Sequence, residues 1–202
     1  MSKHVINSFL ACSITFINEI SQISNKFKID LNQLEETIKS DKRIGHKSYM
    51  NSGFSFSGGT LARDVNFLND LFSKFNIKSK VIKNIILSNN YRKQNIIKSI
   101  LRLAKGRKRI LQIGLTYKKG TNTMRRSLPF EVYKKILSIK PRSISVYDSD
   151  LKQKNSQFQM LQKKKYDLII IFKKELNLLS LIKKFSNTKT KIIDIGRYIY
   201  KT

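Results

Sequence analysis

AKGRKRILQIGL (residues 104–115) marks the point where the character of the chain changes, and its reading decides the fold. Upstream, apolar residues recur every three or four positions. From Arg109 onward they come as short, β-branched runs: RILQIGL (109–115), SISVYD (143–148), YDLIIIF (166–172) and KIIDI (191–195). Each run has the length and composition of a buried strand. Between them lie SLPFEVYKKIL (127–137) and ELNLLSLIKKF (175–185), both of helical period. Strands alternating with helices imply a parallel sheet with helices on its faces, so residues 105–202 read as a small Rossmann-like α/β domain. Only Gly114 follows the first strand, where dinucleotide binding would require Gly-x-Gly-x-x-Gly. The fold by itself therefore gives no dinucleotide site.

Working back from residue 104, everything reads as helix around one loop, giving an all-helical domain over 1–104. Phe9, Cys12, Phe16, Ile20 and Ile23 make one apolar stripe expected to face the core. Asp30 followed by Gln33 is a capping box opening a second helix, with Leu31, Leu34 and Ile38 inward. Residues 41–60, rich in Gly, Ser and Asn, read as a long loop. Val65, Leu68, Phe72 and Phe75 begin a third helix. A longer fourth carries Val81, Ile85, Ile86, Ile96, Ile97, Ile100 and Leu101.

Composition narrows the function classes. With 40% hydrophobic residues and 202 positions, the chain can bury one good core or two small ones. Cys12 is the single cysteine, which leaves neither a disulfide nor a zinc cluster, and His4 and His46 lie too far apart to suggest a metal site. No apolar run reaches the roughly 18 residues of a membrane span and no signal peptide pattern opens the chain, so a cytoplasmic location is expected. The net charge of +28 raises nucleic acid as a partner. Yet the lysines are spread among Ile, Asn and Ser along the whole chain, without a helix-turn-helix, zinc-finger or RNP pattern. A phosphate-bearing small molecule satisfies the charge as well as a polynucleotide does. A basic nucleic-acid-binding or scaffolding module stands as an alternative, with salt-sensitive DNA binding as its signature.

GFSFSGGTLARD (53–64) joins the long loop to the third helix. Gly58 and Gly59 would permit positive φ and a close backbone turn, and a free helix N-terminus there would favour an anion. Asp64 could also cap a helix beginning at Val65. Upstream stand KHVIN (Lys3 and Asn7) and DKRIG (Asp41 to Gly45). Set in this order, the three stretches resemble the UDP-glucose/GDP-mannose (nucleotide-sugar) 6-dehydrogenase family. That family has a Lys-x-x-x-Asn pair, an Asp-x-Arg-Ile-Gly turn and a glycine-rich loop ending in Cys-x-Pro-Lys-Asp. The second half is similar too: GLTYKKGTNTMRRS (114–127) resembles Gly-Leu-x-Phe-Lys-x-x-Thr-Asp-Asp-x-Arg-x-Ser, VYDSDL (146–151) a Tyr-Asp-Pro turn, and IIDIGR (192–197) a terminal Asp-Gly-Arg.

The resemblance implies an NAD-dependent oxidation of a sugar C6 alcohol to a carboxylate. It implies that Lys3 and Asn7 stabilise charge on the sugar oxygen and that Asp64 positions or deprotonates water. It implies that Arg43 reaches a UDP-sugar across a homodimer interface built by the long helices, with Tyr49, Asn51, Phe54 and Gly58 lining the loop. Lys118, Arg125 and Arg197 would contact nucleotide or cofactor phosphates, Arg125 on the cofactor side. Two departures stand out. The family's N-terminal NAD-binding domain has no counterpart before Lys3, so the chain is expected to be inactive alone or to act with a separate NAD-binding subunit. Thr60 stands where the family has its nucleophilic cysteine, with Ala62 and Arg63 for the proline and lysine. A threonine hydroxyl is a far weaker nucleophile than a thiol at neutral pH, so with a separate NAD-binding subunit arrest at the aldehyde, or an alternative oxidation, is expected rather than efficient carboxylate formation.

Overall fold

The structure, a computed structural model, describes residues 1–57, 59–151, 161 and 164–199. Six helices and four strands follow one another as α1 (Ser2–Phe27), α2 (Leu31–Ser40), α3 (Leu61–Lys74), α4 (Lys80–Ala104), β1 (Arg109–Ile113), α5 (Leu128–Ser138), β2 (Ser143–Tyr147), β3 (Leu168–Ile171), α6 (Leu178–Phe185) and β4 (Lys191–Asp194). The chain divides into two compact units, Met1–Gln94 and Asn95–Thr202, with the division inside α4. No helix among the described residues is long and apolar enough to cross a membrane.

In the helical unit, α1 packs on α3 and touches α2. Asp30 caps α2 by accepting the N–H groups of Asn32 (2.7 Å) and Gln33 (3.3 Å), the arrangement its spacing predicts. The long loop between α2 and α3 also falls where the sequence places it. The α1 stripe does not. Phe9, Phe16 and Ile23 are 70%, 52% and 56% exposed, while Ser8, Ala11, Thr15, Asn18, Ser21 and Ser24 are buried. The buried face is the one that packs on α3 and the loop, where small side chains permit close approach and Asn18 holds the Gly53 N–H and the Phe54 carbonyl. Several of these satisfy themselves on the helix, as Ser21 does on the Asn18 carbonyl at 2.6 Å and Thr15 on Cys12 at 2.8 Å. Cys12 is half-buried beside Ala11, Val65 and Ile85. Phe75 and Val81, members of the third and fourth helical periods, are exposed as well.

In the second unit the four strands are all parallel, in the order β2-β1-β3-β4. The register pairs Ile113 of β1 with Tyr147 on one side and Ile171 on the other. Leu111, Ile113, Ile169 and Ile171 form one core layer with Leu178, Ile182 and Phe185 of α6. The β3 run Leu168–Ile171 is wholly enclosed, at roughly 1.5–3 kcal/mol of burial per side chain. The chain leaves β1 for β2 and then returns past β1 to β3. The carboxyl ends of β1 and β3 therefore flank the switch point where open α/β sheets bind ligands.

Candidate functional site

Asp64 is the centre of the helical unit's polar cluster. It lies in the first turn of α3, not before it, because the helix begins at Leu61 with Thr60 as its N-cap residue. The capping role for Asp64 is thus excluded. Its side chain is fully buried. Asn7 Nδ2 donates to its Oδ2 at 2.5 Å, and Arg63 Nε donates to its Oδ1 at 2.9 Å. His4 Nδ1 stands 3.2 Å from the same Oδ1, with its ring stacked on Phe67 at 4.3 Å between centroids. These donors, Asn7 foremost, hold the carboxyl at a pKa of about 2 against the opposing effect of burial. A carboxylate that acidic is a poor proton acceptor near neutral pH, so its chemical capacity is to orient donors and hold charge. Sequence reasoning set His4 aside for want of a metal partner. Its signal lay in the three-residue offset from Asn7, which puts both on one face of α1.

The remaining loop residues occupy varied positions. Lys3, one turn before Asn7, is exposed. Thr60 is exposed and its hydroxyl caps nothing. Arg43 is 89% exposed and forks onto Asp41 at 3.0 and 2.7 Å. Tyr49 is exposed, Asn51 accepts from Lys39 Nζ at 2.5 Å, and the Phe54 carbonyl accepts from Asn18 Nδ2 at 3.0 Å. Gly58 lies outside the described residues. Gly59 does not adopt the positive φ expected of it, and nothing approaches the place of its Cβ. Close approach to a second backbone is not what selects it.

The loop owes its shape to side chains that the motif comparison does not contain. Asn18 accepts the Gly53 N–H at 2.9 Å, and Arg92 donates twice to the Gly53 carbonyl at 3.0 and 2.7 Å. Asn89 holds Phe56 by both its N–H (2.8 Å) and its carbonyl (2.9 Å). Glu35 accepts from the Ser52 N–H and hydroxyl at 2.7 and 2.8 Å. Buried backbone polar groups need such partners, and here α1, α2 and α4 supply them.

In the sheet unit a second polar cluster sits at the carboxyl ends of β1, β2 and β3. Asp148 Oδ2 accepts from the N–H groups of Leu115 (2.8 Å) and Thr116 (2.7 Å) and from the Thr116 hydroxyl (2.7 Å). Lys173 pairs with its other oxygen and, at 2.6 Å, with Asp150. Despite the opposing effect of burial, Lys173 and the backbone donors keep the Asp148 carboxyl below its ordinary pKa. Lys118 and Arg125 are exposed on the loop after β1, and Arg197 is half-buried after β4. The cluster around Lys173 went unread in the sequence.

The dinucleotide of the resemblance does not fit these residues. Residues 114–127 intervene between β1 and α5, so no tight turn delivers a helix N-terminus to a pyrophosphate. The Ser127 hydroxyl already accepts the Phe130 N–H, and Glu131 places negative charge in the first turn of α5.

Comparison with known proteins extends this picture. Residues 1–91 match the UDP-glucose/GDP-mannose dehydrogenase family, central domain. UDP-glucose 6-dehydrogenase of Rickettsia prowazekii (strain Madrid E) is 36% identical over 133 residues, which are 64% of this chain and 30% of that protein. GDP-mannose 6-dehydrogenase of Pseudomonas putida is 26% identical over 152 residues, 75% of this chain and 34% of that protein. A solved UDP-glucose dehydrogenase from the hyperthermophilic archaeon Pyrobaculum islandicum shares the fold, with a TM-score of 0.81 over 99% of this chain and 48% of that one, at 21% identity. The matched stretch thus spans about a third of the length of these curated relatives.

Proposed function

Because the chain belongs, through residues 1–91, to the UDP-glucose/GDP-mannose dehydrogenase family, we propose that it binds a nucleotide sugar. The observation that carries this reading is the junction of Asn7 with Asp64, which joins the Lys3–Asn7 turn of α1 to the end of the glycine-rich loop. Lys3 and Asn7 stabilise negative charge developing on the sugar oxygen. Asp64, held ionised, fixes the Asn7 amide and the His4 ring. Arg43, Tyr49, Asn51, Phe54 and Gly58 serve the sugar nucleotide along the loop. In the sheet unit, Lys118, Arg125 and Arg197 offer cations to nucleotide phosphates.

NAD⁺ is the hydride acceptor of the family reaction, and Arg125 stands on the cofactor side, although the β1–α5 connection forms no tight turn for a pyrophosphate. The Thr60 hydroxyl is a far weaker nucleophile at neutral pH than the thiol of the family reaction. The exposed Phe9, Phe16 and Ile23 support a homodimer formed through α1. Titration calorimetry of the purified chain with UDP-glucose tests the reading. Saturable binding that is weakened by Arg43→Ala is expected. No binding of either UDP-glucose or GDP-mannose would remove it.

A further inference from the structure

Lys173 is a lysine only 8% exposed, and three carboxylates and a hydroxyl surround its ammonium group. It pairs with Asp148, with Asp150 at 2.6 Å and with Glu175 at 3.7 Å, and it donates to Thr116 Oγ1 at 3.3 Å. A buried cation of this kind is costly unless its partners are fixed. These partners come from the ends of three strands: Thr116 follows β1, Asp148 and Asp150 follow β2, and Lys173 and Glu175 follow β3. The backbone makes room for the arrangement. Gly114 has φ +92°, and a Cβ there would stand 2.7 Å from the Cβ of Lys173, so only glycine lets the two strand ends approach this closely.

The same carboxylates reach into the loop after β1 at two points. Asp148 takes the N–H groups of Leu115 and Thr116, and Asp150 takes the N–H of Gly120 at 2.8 Å. Between those anchors stands Lys118. The Tyr117 N–H closes on the Thr123 carbonyl at 2.8 Å, and the Ser127 hydroxyl ties the loop's far end to the Leu115 carbonyl at 2.8 Å. The exposed tip is thereby clipped at both sides of the lysine while its ammonium stays in solvent.

We propose that Lys173 and Asp150 are positioning residues that clamp the Gly114–Ser127 loop so that Lys118 meets the phosphates of a bound nucleoside diphosphate. The inference rests on the nucleotide-sugar reading for its ligand, while the clamp itself is a property of the loop. The ammonium of Lys173 neutralises Asp148 and Asp150 so that both can keep accepting loop N–H groups. Without it, two carboxylates facing one another would repel and release the loop.

The test uses the whole chain, uridine diphosphate as the probe, and two readouts. Asp150→Ala removes the Gly120 anchor at a partly exposed position. Hydrogen exchange should then accelerate across residues 115–126 but not in β1 or β3, and the dissociation constant for UDP should rise roughly tenfold. In a Lys118→Ala background the same change should have no further effect on affinity, which a general loss of stability would not reproduce. Lys173→Met should act in the same direction, and if it fails to fold, Asp150→Ala decides alone. Unchanged loop exchange in Asp150→Ala overturns the clamp. Equal losses of affinity with and without Lys118 overturn its positioning role. Failure of the unaltered protein to bind UDP, with loop exchange responding as expected, overturns the nucleotide reading and the positioning role with it.

Discussion

Asn7 and Asp64 stand 57 residues apart in sequence and 2.5 Å apart in space, with the amide of one donating to the buried carboxylate of the other. Asn7→Ala would leave Asp64 with fewer donors in a site closed to water. The cost should be roughly 1–3 kcal/mol, the range for a buried charged acceptor stripped of one partner. Urea denaturation of the variant at neutral pH measures it. Asn7→Asp should cost more, since it sets two carboxylates against each other.

The Asp64 carboxyl also makes stability depend on pH in a defined direction. Its pKa falls from 3.8 to about 2 on folding. A depressed carboxyl contributes stability that is complete above its unfolded value and is lost as pH falls through the folded one. The contribution is roughly 2 kcal/mol. Unfolding free energies from pH 7 down to pH 2 should decline less in Asp64→Asn than in the unaltered chain, by up to about that amount. Parallel declines in the two proteins would contradict the assignment.

Asn89 holds both polar groups of the Phe56 backbone. Asn89→Ala should release the glycine-rich loop and cost about 1–3 kcal/mol. Faster hydrogen exchange at residues 52–57, with α3 unaffected, would locate the effect.

Thr60 is exposed at the N-cap of α3, where the helix dipole favours an anion. A thiol introduced by Thr60→Cys should ionise below the roughly 8.5 of a free cysteine. The pH dependence of its alkylation, in a chain also carrying Cys12→Ser, reads this out. An ordinary thiol titration would show that the position does not activate a nucleophile.

Phe9 and Phe16 project from α1 into solvent, at 70% and 52% exposure. If the homodimer forms there, Phe9→Glu with Phe16→Glu should convert the dimer to monomer in light scattering, without loss of helix by circular dichroism. A chain that is monomeric before substitution would exclude that interface.

Much of the fold was legible because local chemistry dictates it. Four β-branched runs, with helical periods between the first and second and between the third and fourth, leave little choice but a parallel sheet, and Asp30 announces its cap by spacing alone. Other features turn on what lies opposite. Periodicity defines the α1 stripe of Phe9, Phe16 and Ile23, but a period does not say which side of a helix is the core. The inner side went to Ser8, Thr15 and Asn18, the face packed toward α3 and the loop, where Asn18 pairs with the Gly53 N–H and the Phe54 carbonyl. The motif residues Lys3, Asn7, Arg43 and Asp64 could be singled out in the chain. Their surroundings could not: His4 gains its neighbour from α3, and Lys173 gains its four acceptors from three strands. Sequence alone determined the elements, their order and the candidate chemistry. Tertiary structure decided which charges are buried together, because burial and pairing arise only when distant segments exclude water from one another.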